Sequence, residues 1–251
     1  PYSLSPATFR DEIAKLKQNG FTFVSFDDVK NDRITGTKNI LVTIDDGNES
    51  VYDVYYSIMK PNGIKPVLGI YPAIIGKMSY AMTWNQLKKL KDDGCYIAAH
   101  GYNHMYLSSK YYKEDIVQFK KEIYLSKKVL EQKLGITIDT MIYPFGVYSD
   151  EAIADMKIAG YRYGFTLTQH ISEVPLNDPF RIPRYMLTKP NQKGIIAYII
   201  KNTSADGTVA SVPAEDKKIV QNPPSGDRVT IKNYPDRLKK LIINDIIFVP
   251  D

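Results

Sequence analysis

Apolar residues recur along the first two hundred positions in two patterns that take turns, a helical spacing of three to four and short unbroken runs. Phe9, Ile13 and Leu16 keep the helical spacing after Ser5-Pro6, a capping residue followed by proline at the first helical position, and Gly20 stops that helix. Phe21 to Phe26 reads as a strand. Residues 40–45 read as a second, Ile40-Leu41-Val42-Thr43-Ile44-Asp45, continuously apolar up to its end as expected when both faces are covered. A helix is predicted over 49–60, closed by Pro61-Asn62-Gly63, and a strand over 66–71. Thr83-Trp84-Asn85-Gln86 has the capping-box pattern and opens a helix ending at Gly94, after which the run 95–99 delivers His100. The segment 112–134 sets Ile116, Phe119, Ile123, Leu130 and Leu134 on one helical face, with Gly135 as its stop. A strand at 139–143, a helix from Ser149 to Gly160, strands at 161–167 and 181–187 and a helix at 193–202 complete the series.

Regular alternation of strand and helix implies parallel strands with covering helices. Both a (β/α) barrel and an open doubly wound sheet carry their sites at the carboxyl ends of the strands, so the pattern alone leaves that choice open. From Thr203 the texture changes to turn-rich stretches such as Asn222-Pro223-Pro224-Ser225-Gly226-Asp227, with strand-like runs only at 228–232 and 241–249. The expected organisation is one α/β domain over 1–202 and a small extension over 203–251.

Composition narrows the partners. With 251 residues the chain can bury a large core, and its 43% apolar and 24% charged content is ordinary for a globular protein. The net charge of +5 is dispersed, as in Lys113-Glu114-Asp115, and no clustered basic stripe points to nucleic acid. No run is long enough to cross a membrane as a helix. The single cysteine, Cys95, excludes an intramolecular disulfide, and its place in an apolar run predicts a buried structural thiol. The chain opens at Pro1 without methionine, as a trimmed or mature product would, and any signal or anchor is expected to be missing from it.

The candidate chemistry sits at two strand ends. Asp45-Asp46-Gly47 closes the run 40–44, and two of the three histidines, His100 and His104, lie four apart at the end of 95–99. Imidazole and carboxylate are ligands for zinc and similar ions, and catalytic sites keep one position open. Both histidines reach one ion if the chain makes a helical turn after the strand. Gly47 permits a sharp turn that separates Asp45 from Asp46, one as ligand and one as base. Adjacent carboxylates cannot flank a glycosidic bond at the ~5–9 Å that two-carboxylate glycosidases use.

These residues carry a family resemblance. Thr43-Ile44-Asp45-Asp46-Gly47 resembles the Thr-Phe-Asp-Asp-Gly motif of the NodB-type polysaccharide deacetylases, carbohydrate esterase family 4. His100-Gly101-Tyr102-Asn103-His104 matches the His-x-x-x-His motif of that family, and Tyr143-Pro144-Phe145-Gly146 resembles its third motif, which ends Pro-Tyr-Gly. The Ser5–Val29 segment and Ile182-Pro183-Arg184 are similar to the branch that includes poly-N-acetylglucosamine deacetylases of bacterial surfaces.

The resemblance implies a distorted (β/α) barrel and a metal-dependent hydrolase that removes N-acetyl groups from an N-acetylglucosamine-containing polysaccharide. Asp46, His100 and His104 would hold a divalent ion, zinc first among the candidates. Asp45 would be the general base, and the backbone N–H of Phe145 would stabilise the oxyanion. The arginine that family members carry at the start of the third motif is replaced here by Ile142, and Arg184 is the candidate substitute. The Leu-x-x-His motif that supplies the acid is missing after residue 190, which leaves His170 as the candidate acid. Tyr102, Tyr143 and Trp84 are the candidate substrate contacts, with Tyr71 and Tyr106 also near site-facing loops. An O-acetyl esterase and a non-catalytic carbohydrate-binding or scaffold domain that kept the metal site stand as alternatives. An extracellular or cell-envelope location follows from the resemblance.

Overall fold

The structure, a computed structural model, describes residues 4–203 and 239–246. Helix α1 (Pro6–Gln18) starts where Ser5 accepts a hydrogen bond from the Thr8 N–H, and it buries Phe9, Ile13 and Leu16. Strand β1 is only Thr22–Phe23, shorter than predicted, because Ser25 and Asp28 close a capping box that starts helix α2 (Phe26–Lys30). Strand β2 (Asn39–Ile44) is buried at every position. Helix α3 (Ser50–Val54) runs on through a π turn at Tyr55–Met59 and a 3-10 turn at Lys60–Asn62 before Gly63 ends it in the left-handed region. Strand β3 (Val67–Ile70), helix α4 (Trp84–Asp92), with its capping box made by Thr83 and Gln86, and strand β4 (Tyr96–Ala99) lie as the pattern predicts.

The single helix expected over 112–134 is two, α5 (Ser109–Glu114) and α6 (Ile116–Leu134). Asp115 breaks them apart at φ −150°, and its carboxylate accepts from the Gln118 N–H to cap α6. Ile116, in the first turn of α6, is therefore exposed, whereas Phe119, Glu122, Ile123, Ser126, Leu130 and Leu134 are buried. Strand β5 (Thr140–Ile142), helix α7 (Asp150–Ala159), strands β6 (Tyr163–Phe165), β7 (Ser172–Val174) and β8 (Tyr185–Leu187), helix α8 (Gln192–Asn202) and strand β9 (Lys239–Ile246) follow.

The strands run β6-β5-β4-β3-β2-β9-β7, with β1 on β2 and β8 on β9, and only β7 is antiparallel to its neighbour. The sheet curls until its ends meet. Phe165 bridges Ile182, the Thr166 N–H donates to the Ile182 carbonyl at 2.8 Å, and the Ile182 N–H donates to the Gly164 carbonyl at 2.8 Å. Ile182 leads into β8, which pairs with β9, which pairs with β2. The result is the distorted (β/α) barrel expected from the sequence, irregular at the β6–β8 seam.

The strand predicted near the carboxyl end lies in the barrel wall, paired with β2 from Asn39–Leu241 to Thr43–Asp245. Its Leu241, Ile242 and Ile243 are fully buried, so the boundary expected at 202–203 falls within a single sheet. The predicted run 228–232 and the turn-rich stretch before it lie outside the described residues.

Strand alternation sorts the core into two clusters. Ile40, Val42 and Ile44 face the helices, while Leu41, Val67, Ala98, Ile142, Phe165, Ile182 and Ile243 fill the barrel interior above Phe26 and Val29. This phase decides which later residues point into the mouth.

Candidate active site

Leu41 points inward, so Thr43 and Asp45, two and four residues on, do as well. Ile182 points inward across the seam, and Arg184 follows it in the same phase. The two meet. Arg184 is fully buried and donates from Nη1 to Asp45 Oδ1 at 3.0 Å and from Nη2 to Asp45 Oδ2 at 2.6 Å, a fork-to-fork pair. Its Nη1 also donates to Thr43 Oγ1 at 2.9 Å and its Nε to the Thr166 carbonyl at 3.0 Å, which fixes the guanidinium plane. Gly69 leaves room for this pair, since a Cβ there would lie 2.8 Å from Asp45 Oδ1.

Asp46 turns away from the interior with φ at 74°, and Gly47 continues the turn at 74°. Asp46 Oδ1 lies 3.5 Å from His100 Nε2 and 3.5 Å from His104 Nε2, and it is buried without a hydrogen-bond partner among the described residues. A buried carboxylate oxygen facing two imidazole nitrogens is the environment of a shared cation. The three donor atoms lie within 4.8 Å of one another. His100 Nδ1 is 2.8 Å from the Ile142 carbonyl, an acceptor that assigns the proton to Nδ1 and leaves the Nε2 lone pair facing Asp46. Asp45 Oδ2 lies 3.8 Å from the same Nε2, beside the cluster.

The helical turn expected between His100 and His104 does not form. Residues 100–107 are a loop, and His104 reaches Asp46 from the left-handed region at φ 64°. Three of the four non-glycine residues described with positive φ, Asp46, His104 and Phe145, lie at this site, where strain held by surrounding structure is common. A further residue at the site, Glu122, stands in the charged run Lys120-Lys121-Glu122, whose local pattern is that of a solvated helix face. Glu122 is fully buried and accepts hydrogen bonds from the loop 102–105. The signal for it was its phase, three residues after Phe119 on the buried stripe.

Burial disfavours charge on His100, but Asp45 and Asp46 together with the Ile142 carbonyl outweigh it and raise its pKa. His104 moves the other way, pushed down to about 4 by burial and by the neighbouring His100, and is neutral at pH 7.

The remaining predicted residues scatter. Tyr143 follows inward-facing Ile142 and is turned out of the barrel; it is fully buried, and its hydroxyl donates to the Phe180 carbonyl at 2.9 Å, so it cannot contact a substrate. Trp84 packs half-buried against the core beneath Lys133. Tyr102 is half-buried and gives its backbone N–H to Glu122 at 2.9 Å. His170 is exposed two residues before Ser172, which pairs with Leu241 at the level of Asn39. That is the amino-terminal end of β2, and the strand rise leaves His170 ~13 Å from the level of Asp45. The structure does not bring it to the cluster. Instead, aromatic rings surround His104. Tyr71 stacks on it at 5.2 Å, Phe145 packs on it at 4.4 Å, and Tyr106 stacks on Phe145 at 4.3 Å. The Phe145 N–H, next to this cluster, makes no backbone hydrogen bond to the described residues.

The family model for polysaccharide deacetylases matches residues 32–164, a span that holds Asp45, Asp46, His100, His104 and Phe145. The chain belongs to the polysaccharide deacetylase family. Arg184 lies beyond the matched span and joins the site only through the barrel seam. The poly-beta-1,6-N-acetyl-D-glucosamine N-deacetylase of Staphylococcus aureus strain MRSA252 is 24% identical over 199 residues, covering 74% of this chain and 68% of its own length. Among solved structures, the deacetylase PplD of Streptococcus pyogenes, determined with acetate, superposes with a TM-score of 0.66 at 22% identity over 78% of this polysaccharide deacetylase and 86% of that chain. IcaB from Ammonifex degensii gives 0.66 at 23% identity over 78% and 90%. These likenesses establish the NodB-type fold.

Proposed function

We propose that this polysaccharide deacetylase is a metal-dependent N-deacetylase of a poly-N-acetylglucosamine at or outside the cell envelope. The observation that carries the proposal is the buried Arg184 fork on Asp45, 3.8 Å from the imidazole that Asp46 also faces. A structural metal site has no use for a second carboxylate held in that way, so the arrangement speaks against a scaffold domain. The kinship with the staphylococcal enzyme supports the choice of polymer.

Asp46, His100 and His104 fit a divalent ion, zinc by their donor chemistry. When bound, such an ion supplies Lewis acidity and lowers the pKa of a coordinated water. Asp45 accepts the proton of the attacking water, and Arg184 aims its carboxylate and favours its charged form. The Phe145 N–H donates to the acetamide oxygen as negative charge builds there. Asp45, now protonated, passes the proton to the leaving nitrogen, and acetate and a free amine result. With His170 remote, one carboxyl serves as base and then as acid.

Chelated protein is expected to release no acetate from β-1,6-linked N-acetylglucosamine oligomers, and Zn²⁺ or Co²⁺ is expected to restore release, followed by enzymatic acetate assay. Binding of oligomers by metal-loaded protein without acetate release would favour the scaffold alternative, and release only from O-acetylated glycans would favour the esterase.

Tyr106 and Phe145 form a flat ledge beside His104, both about half exposed at 49% and 48%. This ledge, in place of Tyr143 and Trp84, suits the apolar face of a sugar ring. Tyr106→Ala is expected to raise KM roughly 2- to 12-fold, as loss of a contact worth about 0.5–1.5 kcal/mol would, with kcat little changed. A fall in kcat at constant KM would assign Tyr106 to the chemical step instead.

A further inference from the structure

We propose that Glu122 is a positioning residue for the metal centre: its carboxylate holds the loop 101–105 in the one shape that turns His104 toward Asp46. Glu122 lies on α6, remote in sequence from all three ligand positions of the site, and none of its side chain is exposed. Its Oε2 accepts from the backbone N–H of Tyr102 at 2.9 Å, of Asn103 at 2.9 Å and of Met105 at 3.3 Å. Its Oε1 accepts from the Asn103 N–H at 3.1 Å and from the Asn103 side-chain amide at 3.1 Å. Amides from three residues of one loop thus converge on a single buried anion, as in the backbone nests that bind free anions.

The residue left out of this ring is His104, which sits between Asn103 and Met105. The Met105 N–H belongs to the peptide plane that follows His104 and the Asn103 N–H to the plane before Asn103. The chain is thus pinned one plane before and directly after the peptide that enters His104, which spans the gap at φ 64°. The costs of that conformation and of burying the carboxylate are offset by charge-assisted hydrogen bonds. The contact is tight: a Cβ at Gly101, φ 72°, would lie 2.6 Å from Glu122 Oε2 and 3.4 Å from the His104 nitrogen. Glu122 is itself held in place. Ser126 donates to the Glu122 carbonyl at 2.6 Å one turn along α6, and α6 packs on β4, the strand that delivers His100. One carboxylate thereby ties the His104 loop to the element that positions His100. An isosteric amide replaces it only in part. A glutamine keeps one acceptor oxygen but puts an NH2 at the other position, where the loop also presents donors, and it carries no charge to strengthen the bonds that remain.

Because this presupposes that Asp46, His100 and His104 hold an ion, the test reads metal binding, not turnover. Metal-free parent, Glu122→Gln and a control, Glu131→Gln, are titrated with Co²⁺ and followed by visible absorption, with circular dichroism to confirm folding. Glu131 is on the same helix and bonds Lys127 and the Ile138 N–H. E122Q is expected to weaken Co²⁺ binding about 10- to 100-fold, as loss of outer supports of metal ligands does, and to alter the ligand-field bands. E131Q is expected to leave both unchanged even where it lowers the melting temperature. Equal affinity and spectra for parent and folded E122Q overturn the role of Glu122 alone. Failure of the parent to bind Co²⁺ overturns the metal centre and the role of Glu122 with it. Amide exchange in the metal-free parent decides the matter even if E122Q does not fold. Protection of the Tyr102, Asn103 and Met105 amides before any metal is added supports the proposal, and exchange at the rate of an open loop overturns it.

Discussion

Asp45→Asn is expected to lower kcat for acetate release by ~10²–10⁴-fold, the usual contribution of a positioned general base, with Co²⁺ or Zn²⁺ still bound. Asparagine has nearly the shape of aspartate, and Asp46 with the two histidines remains in place to hold the ion. What it lacks is the capacity to take a proton from water. Its amide also presents one donor to a guanidinium that needs two acceptors, so Arg184 keeps Thr43 and the Thr166 carbonyl but loses half of its fork. A lower melting temperature is therefore expected alongside the kinetic loss. The two effects separate by measuring acetate release, bound metal by elemental analysis, and thermal unfolding on the same preparation. Near-parental turnover in metal-loaded D45N would remove Asp45 from the chemistry and return the site to a plain metal centre.

The parts of the site that can be read in sequence are those that are local in sequence. Asp45-Asp46-Gly47 and the pair His100 and His104 each stand at the end of an apolar run, and strand phase then points Asp45 and His100 into the barrel mouth. What is not local is not legible. The bonds between Arg184 and Asp45 join residues 139 apart, and only the seam between β6 and the segment leading into β8 shows that they meet. Glu122 looks like one more surface charge beside Lys120 and Lys121 until α6 is seen to begin at Ile116. Tyr143 fails as a substrate contact because one step of strand alternation turns it outward, where Gly164 leaves its hydroxyl the space to reach Phe180. The terminal strand reads as an appendage since nothing in Leu241-Ile242-Ile243 names β2 as its partner. Parallel register between distant segments is set by the closing barrel, not by local propensity.

Arg184→Met is expected to cost more stability than any other single change at the site, about 3–5 kcal/mol, because it leaves the Asp45 carboxylate buried without its counter-charge. Two further acceptors, Thr43 Oγ1 and the Thr166 carbonyl, lose a donor in the same step. Lysine would not rescue it. A single ammonium cannot reproduce two parallel bonds to one carboxylate while also reaching Thr166. The kinetic consequence has a definite sign. The positive charge favours the ionised form of Asp45, so removing it should move the acid limb of the pH–rate profile to higher pH, and part of the lost activity should return as pH rises. A purely structural arginine would lower activity at every pH in proportion to the unfolded fraction. Combining the substitution with Asp45→Asn removes the stranded charge, and R184M/D45N is expected to unfold at a higher temperature than R184M alone. That reversal, a second substitution stabilising the first, is the specific mark of a buried pair. Additive losses in the double variant would mean that the fork contributes geometry but little electrostatic coupling, and that Asp45 draws its charged state from the metal centre alone.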